Sequence, residues 1–286
     1  MSNAPALFAH FRAHLLPSLA WHADALGRHK GDLGRLGIIG GCDNYHGAPF
    51  YAAMAALRAG GELATVFCQG HSASVAIKAL SPELMVLPAL PAPAADRDDN
   101  ADAESETDAV SAALSAVRQQ RSIAASARSI GAMLPRLRSF AIGSGLGRDP
   151  LAHAAVAAVL DQIRAQDMPV VLDGDAIHLV CSQARVIAGN RRAVLTPNAA
   201  EFRRLYEATF GAQDRVDWVA VTEAMTALLL AAAPPPSALP HDDLDSVRLS
   251  PDLAWVRPAV RLARELGVVI VQKGPVDLIT DGQCGS

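Results

Sequence analysis

The chain has 286 residues, 51% of them apolar, which suffices for one large α/β domain or two small ones and is too apolar for a disordered protein. Its net charge of −4 argues against a nucleic-acid-binding surface, which needs clustered Lys and Arg. No apolar stretch reaches the ~18 residues of a membrane-spanning helix and no signal-peptide pattern opens the chain, so we expect a cytoplasmic protein without a membrane partner; a mitochondrial location stays open as the alternative.

Short apolar runs recur along the chain and predict strands. The first, at residues 36–39, is followed by Gly40 and Gly41, a polar loop and a helix of small residues at 50–59. Strands that alternate with helices predict parallel βαβ units, and strands without polar alternation predict a sheet covered on both faces. Ligands of such sheets bind beyond the carboxyl ends of the strands, so the glycine pair opens a candidate binding edge. Further strands are predicted at 63–67, 84–87, 139–142, 169–172, 193–195 and 268–271, and a further helix at 151–165.

Two segments interrupt this alternation. Residues 91–110 are rich in Pro and Ala and then acidic, and residues 234–252 are rich in proline. Both compositions are typical of solvated, mobile insertions, and the strand–helix pattern resumes after each. We therefore predict one domain over residues 1–286, with insertions near 91–130 and 207–252.

Cysteine spacing indicates a reducing compartment. The four cysteines form no CxxC pair, which predicts free thiols and argues against a zinc site. They are Cys42, Cys68, Cys181 and Cys284.

A glycine-rich motif, GSGLGR at residues 143–148, follows the predicted strand 139–142 and precedes a helix that begins near Pro150. Glycines in this place allow backbone N–H groups to approach a phosphate, and a helix N-terminus favours negative charge. A dinucleotide fingerprint, GxGxxG, is a weaker alternative, because Arg148 stands where its third glycine is required. A tight turn that binds no ligand is the remaining alternative.

Two carboxylates, Asp173 and Asp175, follow the predicted strand 169–172. Carboxylates at a strand end suit Mg²⁺, which they usually hold together with water. Alternatively, Asp175 is the N-cap of a helix at 176–181. The two interpretations are compatible and both stay open.

Two later strand ends carry further polar motifs. In TPNAAEF, Thr196 or Asn198 is expected to cap the next helix, with Glu201 completing a capping box. After strand 268–271, Lys273 can reach a phosphate as a point charge. The chain contains neither a Walker A sequence nor a GxSxG elbow, so any nucleotide binding is not of the P-loop type.

Taken together and in order, these motifs resemble the ATP- or ADP-dependent NAD(P)H-hydrate dehydratase family. The resemblance covers about residues 29–283 and implies the ribokinase-like fold, a three-layer α/β/α arrangement with a mostly parallel central sheet. GGCxxYxGAPF, VFC and Asn198 resemble the ATP-using, eukaryotic branch. The matching segments are GRLGIIGGCDNYHGAPFYAAMAALRAG, LATVFC, SPELMVLP, AIGSGLGRDP, VVLDGDAIHLV, VLTPNAAEFRRL and VVIVQKGPVDLITDG.

The resemblance implies metabolite repair of hydrated NADH or NADPH, with ATP and Mg²⁺ as cofactors. The γ-phosphate of ATP would be transferred to the hydroxyl on nicotinamide C6, and the ring nitrogen would then expel phosphate. The resemblance also implies an NAD(P)H-hydrate epimerase as a functional partner, and a homo-oligomer is an open possibility.

The resemblance further assigns site residues. Asp173 and Asp175 match an aspartate pair near the phosphates and are candidate metal ligands. Residues that match segments contacting the hydrated substrate are Gly145, Gly147, Asn198, Ala199, Ala200, Glu201, Phe202, Arg203 and Arg204. Residues that match the ATP-contacting segment are Lys273, Gly274, Pro275, Val276 and Asp277.

The catalytic aspartate of the family has no counterpart in this sequence. Family members continue past the VDLITDG segment into a Gly-Gly-x-Gly-Asp loop and a helix. The resemblance therefore predicts a C-terminally truncated chain that exposes apolar surface and whose catalytic residue is unknown. One alternative is a non-catalytic nucleotide-binding protein, in which case this chain is inactive. A ribokinase-like small-molecule kinase is another alternative.

Overall fold

A computed structural model describes residues 34–93, 109–211, 213–230, 256–274 and 277–283. In this part of the chain, eight strands form one sheet in the order β3-β2-β1-β4-β5-β6-β7-β8. All neighbouring pairs are parallel except β7 and β8, which confirms the predicted α/β class. The strands are β1 (Arg35–Ile39), β2 (Leu63–Gln69), β3 (Met85–Leu90), β4 (Ser139–Ile142), β5 (Val170–Leu172), β6 (Ala193–Leu195), β7 (Val269–Gln272) and β8 (Leu278–Thr280).

Helices fill the connections between the strands, and their starts follow local sequence signals. Asp149, for example, caps one helix by accepting the N–H groups of Leu151 and Ala152, and Pro150 is its first residue. No helix in the described ranges has the length and apolar character needed to cross a membrane. The helices are α1 (Gly47–Arg58), α2 (Gly70–Leu80), α3 (Ala109–Gly131), α4 (Pro150–Ala165), α5 (Asp175–Ser182), α6 (Ala199–Phe210), α7 (Trp218–Leu230) and α8 (Arg257–Leu266).

The helices form two layers, one on each face of the sheet. Helices α1 and α2 pack over a small core that includes Ile38, Val66 and Ile77. Helices α3 to α6 and α8 pack over a larger core on the other face, which includes Phe140 and Leu172. This is the three-layer α/β/α arrangement predicted from the sequence.

Part of the sheet exposes apolar side chains. Val171 pairs with Ala141, which pairs with Ile38, so Val171 lies on the same face as α1 and α2. Val171 is 38% exposed, and Ile279 on the edge strand β8 is 68% exposed.

Helix α3 changes the interpretation of the first predicted insertion. Ala127 and Ile130 are buried in the larger core, and α3 packs along α4. Residues 109–130 therefore belong to a regular crossover helix between β3 and β4, and the insertion near 91–130 is corrected in that part. The sequence predicted an insertion here because the buried face of α3 is made mainly of small residues. The composition of the segment is therefore close to that of a polar, solvated segment.

The second predicted insertion also contains a helix, α7 (Trp218–Leu230). The segments 94–108 and 231–255 lie outside the described residues. The single-domain interpretation of residues 1–286 stays a prediction.

Candidate functional site

The strand order creates a crevice at the carboxyl ends of β1 and β4. The chain proceeds from β1 outward to β2 and β3, then crosses to β4 on the other side of β1. The connections after β1 and β4 therefore diverge, and open α/β sheets bind ligands at such a switch point. At its base the two loops are joined, because the N–H of Gly41 donates to the carbonyl of Gly145 at 3.0 Å.

Two adjoining cavities occupy this crevice. The larger cavity, about 1010 Å³, lies between the loop after β1 and the glycine motif after β4. The smaller cavity, about 400 Å³, lies between the glycine motif and the residues of α5 and α6. Both volumes fall in the range of small-molecule sites. The residues that line both are Ala48, Gly145, Arg148 and Asp175.

Side chains from two helices hold the peptide groups of Gly147. Its N–H donates to Oδ2 of Asp175 at 2.8 Å, and its carbonyl lies 2.8 Å from Nε2 of His153. A carbonyl only accepts, so this ring nitrogen of His153 carries the hydrogen. His153 is buried on α4 and Asp175 begins α5. The glycine motif is thus fixed to both helices.

Gly143 permits a close approach between the loops after β4 and β5. Its φ is +114°, and a Cβ there would lie 1.9 Å from the carbonyl oxygen of Asp173. Only glycine fits both the conformation and the contact. Gly145 is restricted in the same way, because a Cβ there would lie 2.4 Å from the carbonyl oxygen of Tyr45. Packing therefore explains both glycines, and both also line a cavity, as does Gly147.

The wall of the larger cavity contains two residues that the sequence analysis did not select. Gln69 is buried at the end of β2, and its Nε2 donates to Oδ2 of Asp149 at 3.1 Å. The other carboxylate oxygen of Asp149 accepts the N–H of Leu151 at 2.8 Å. An aspartate before a helical proline is a recognisable capping signal. Gln69 carries no signal, because its partner lies 80 residues away.

The outer rim of the larger cavity is the loop after β1. Asp43 accepts a hydrogen bond from the hydroxyl of Ser72 on α2, and Tyr45 is 59% exposed. The GGCxxYxGAPF motif is therefore part of the cavity, although no site residue was assigned to it.

The ends of β5, β6 and β7 bring predicted ATP and metal residues together. Nζ of Lys273 lies 2.7 Å from Oδ1 of Asp173, and the hydroxyl of Thr196 donates to the same oxygen at 2.9 Å. The side chains of Lys273 and Asp173 are both 43% exposed. A partly exposed pair of this kind can exchange partners with a charged ligand at little cost.

The two candidate metal ligands engage different partners. Asp173 contacts Lys273, whereas Asp175 contacts Gly147 and lies 3.9 Å from Nε of Arg148. Asp175 is the first residue of α5 and Gly174 is its N-cap, so the capping role considered for Asp175 is wrong. Within the described ranges no three His, Cys, Asp or Glu side chains are grouped to hold a metal. Mg²⁺ commonly needs only one or two carboxylates beside phosphates and water, so the assignment stays a prediction.

Only some of the predicted substrate residues on α6 line the smaller cavity. Glu201 and Arg204 line the smaller cavity. Asn198 and Glu201 form the predicted capping box, with two bonds of 2.9 Å. The assignment of the Phe202 side chain to the substrate site is corrected, because this residue is 1% exposed and packs edge-on against Trp218. Its side chain anchors α6 in the core and does not face either cavity.

The remaining predicted residues lie at the surface or outside the described part. Arg203 pairs with Glu207 on the exposed side of α6, at 2.8 Å, and Ala199 and Ala200 are exposed in its first turn. The N–H of Gly274 donates to Asp277 at 3.1 Å. Pro275 and Val276 lie outside the described residues.

His178 lines the smaller cavity, and its surroundings disfavour its protonated form. Desolvation lowers the pKa of His178, and the charges of Arg148 and Arg204 lower it further. His153 acts in the same direction and Asp175 opposes it. His178 is therefore neutral at neutral pH.

The sequence matches known proteins over most of its length. A family model described as NAD(P)H-hydrate dehydratase matches residues 36–230. The ATP-dependent (S)-NAD(P)H-hydrate dehydratase of Bos taurus is 35% identical over 257 residues, which cover 90% of this chain and 57% of that protein. The protein of the same name from Homo sapiens is 35% identical over 90% of this chain and 54% of its own length. That from Physcomitrium patens is 35% identical over 94% of this chain and 67% of its own length.

Solved structures resemble this fold. A ribokinase-like superfamily protein from Enterococcus faecalis V583 has a TM-score of 0.53 and 20% identity, covering 88% of this chain and 62% of that one. A hypothetical protein from Streptococcus mutans has a TM-score of 0.51 and 20% identity, covering 94% of this chain and 70% of that one. These likenesses establish the ribokinase-like fold. The chain spans about half the length of the mammalian relatives that it matches.

Proposed function

The chain belongs to the NAD(P)H-hydrate dehydratase family, and we propose that it binds the S form of hydrated NADH or NADPH and serves their ATP-dependent dehydration. The observation that carries the proposal is the crevice at the switch point, where the cavity-lining glycine motif adjoins the Lys273–Asp173 pair. One face of this site offers backbone groups and arginines, and the adjoining face offers a lysine for phosphates. Such a pairing suits two nucleotides that meet at their reacting groups.

The glycine motif and α6 would hold the hydrated dinucleotide. Gly145 and Gly147 approach a ligand without steric hindrance from side chains, and Glu201 and Arg204 face the same space. Asp175 and His153 would keep the motif rigid, so that little ordering entropy is lost when the substrate binds.

Lys273 would bind the phosphates of ATP. Its ammonium group can leave the Asp173 carboxylate for a phosphate, because both side chains are partly exposed. Asp173 would then be free to hold Mg²⁺, a hard cation that suits carboxylate oxygen and phosphate. When bound, Mg²⁺ neutralises the negative charge of the transferred phosphoryl group.

Phosphorylation makes the dehydration chemically feasible. Hydroxide on nicotinamide C6 is a poor leaving group, whereas phosphate is a good one. Once the C6 oxygen carries the phosphoryl group, the ring nitrogen lone pair can break the C6–O bond and expel phosphate. Loss of a proton from C5 of the resulting iminium ion then restores the dihydronicotinamide. The contribution of the protein is positioning and charge stabilisation.

The test measures turnover and binding on the same chain. Hydrated NADPH is incubated with the chain, and ATP is added while the near-ultraviolet absorbance of NADPH is followed; calorimetry measures binding of hydrated NADPH and of ATP. ATP-dependent recovery of absorbance is the expected result for the active enzyme. Binding of both ligands without recovery supports the non-catalytic alternative. A chain that binds neither ligand contradicts the proposal.

The proposal extends to the cellular setting. An NAD(P)H-hydrate epimerase would be the functional partner, because it would supply the S form from the R form. The free thiols of Cys42, Cys68 and Cys181 support a reducing compartment such as the cytoplasm. A homo-oligomer stays a prediction, to be checked by light scattering.

A further inference from the structure

The side chain of Gln69 presents a hydrogen-bond acceptor to the larger cavity. Gln69 is the last residue of β2, is 3% exposed and lines the cavity wall. Its Nε2 donates to Asp149, and because a carboxylate only accepts, the amide nitrogen is the atom that faces Asp149. The amide oxygen, Oε1, therefore points away from Asp149. Within the described residues no group donates to Oε1, which is not fully buried and is open to the cavity.

Asp149 fixes the orientation of this amide. Its Oδ1 accepts the N–H groups of Leu151 and Ala152 at 2.8 and 3.4 Å, so the carboxylate is held at the N-terminus of α4. A flip of the Gln69 amide would direct Oε1 at the carboxylate and lose the 3.1 Å bond from Nε2. The cavity wall therefore contains an acceptor of fixed orientation, which favours a ligand group with an N–H or O–H donor.

The charges around this amide disfavour a phosphate. The described residues that line the larger cavity include three carboxylates but a single cation, Arg148, which also lines the smaller cavity. Tyr45 adds an exposed aromatic ring at the rim. A neutral aromatic base that carries N–H donors suits this environment better than a phosphate does.

The order of the strands indicates which end of the dinucleotide reaches Gln69. Lys273, which would bind the phosphates of ATP, directly follows β7, five strands from β2 in the sheet. At a strand spacing of ~4.8 Å, the two residues are separated by roughly 24 Å along the same edge. The hydrated nicotinamide has to lie beside the ATP phosphates, because its C6 hydroxyl reacts with them. The adenosine end of an extended dinucleotide then points towards β2.

We propose that Gln69 is a specificity-determining residue for the adenine end of the hydrated dinucleotide, whose 6-amino group donates to Oε1 of Gln69. The inference rests on the proposed function and names the part of the substrate that the larger cavity receives. Adenine carries N–H donors on N6, whereas hypoxanthine has an acceptor oxygen in the same place. A site that accepts from the amino group rejects the hypoxanthine analogue, because two acceptors would then face each other.

The test measures the preference for adenine over hypoxanthine. Calorimetry gives the dissociation constants of hydrated NADH and of its hypoxanthine analogue for the 286-residue chain, Gln69→Met and Gln162→Met. We expect the unmodified chain to bind hydrated NADH about 10- to 100-fold more tightly than the analogue. Gln69→Met should reduce this ratio to within about twofold. Gln162 is the matched control, because its amide donates to the carbonyl of Ala127 between α4 and α3, and Gln162→Met should keep the full ratio.

The ratio separates a specificity role from a structural one, because a general weakening of the site affects both ligands equally. Equal affinities of the unmodified chain for the two ligands, or a preference that persists in Gln69→Met, overturn the inference while the proposed function stands. If the unmodified chain binds no hydrate, the proposed function itself fails, and the inference with it. Unchanged thermal unfolding of both variants shows that the fold is intact.

A third ligand distinguishes the two ends of the dinucleotide. In this analogue of hydrated NADH an acetyl group replaces the carboxamide, while the adenine is kept. Gln69→Met should therefore weaken its binding as much as it weakens the binding of hydrated NADH. If the variant leaves the affinity for this analogue unchanged, Gln69 contacts the carboxamide and the adenine assignment is wrong.

Discussion

The backbone N–H of Gly147 donates a 2.8 Å hydrogen bond to the carboxylate of Asp175, and this bond joins the glycine motif after β4 to the first residue of α5. The bond crosses from one strand–helix connection to the next. Because the same peptide also contacts His153 through its carbonyl, the conformation of the motif depends on these two side chains.

Removal of this acceptor should destabilise the protein. Asp175→Ala leaves the N–H of Gly147 without its acceptor, at an expected cost of about 1–3 kcal/mol in the free energy of unfolding. Asp175→Asn retains an acceptor oxygen and should cost less. Asp161→Ala, which breaks an exposed pair with Arg164, serves as the control and should cost under about 1 kcal/mol. Urea unfolding measures all three, and equal losses for Asp175→Ala and Asp161→Ala would contradict the expectation.

Gly143 should tolerate no side chain, and Gly189 provides a matched control. Both have a positive φ, +114° and +76°, but a Cβ at Gly189 has nothing within 4 Å. Gly189→Ala therefore costs only the conformational strain, about 1–2 kcal/mol. Gly143→Ala adds a collision 1.9 Å from the carbonyl oxygen of Asp173 and should cost several kcal/mol or prevent folding. Soluble yield and thermal unfolding measure the difference; similar values for the two variants would disprove the close approach.

The strands of the central sheet were predictable because buried parallel strands are continuous apolar runs. Residues 139–142 and 193–195 match β4 and β6 residue for residue. β3 continues three residues past its predicted end, through Pro88, because it lies at the edge of the sheet, where a missing N–H is tolerated. β8 was not predicted, since three residues carry too little pattern to distinguish a strand from a loop.

The site was predictable only at the level of strand ends. Motif spacing located the glycine motif, Asp173 and Lys273 at one edge of the sheet, but it did not reveal which side chains face a cavity. Positions 201 and 204 share one side of α6, whereas Phe202 points to the core. The contact between His153 and Gly147 depends on helix geometry that no sequence motif records.

Lys273 should contribute to ATP affinity much more than to stability. Lys273→Met removes the cation expected at the phosphates, which predicts about 10- to 100-fold weaker ATP binding. Its half-exposed pair with Asp173 predicts a change in unfolding free energy within about 1 kcal/mol. Lys78→Met, on the exposed side of α2, is the matched control and should leave ATP affinity unchanged. Calorimetry decides; an equal loss in both variants would indicate general electrostatic attraction and not a phosphate contact.

Titration of His178 should report the charge state of the smaller cavity. Desolvation and the charges of Arg148 and Arg204 lower its pKa below the ordinary value of ~6.5. The native state therefore binds a proton less readily than the unfolded chain, so this residue lowers stability only as the pH falls below ~6.5 and has no effect above it. NMR titration of the imidazole resonance, assigned by its loss in His178→Gln, measures the pKa directly. Arg204→Gln should raise it, since one positive charge is removed, and Arg203→Gln should not. Equal shifts in the two variants would contradict the effect of the Arg204 charge on His178.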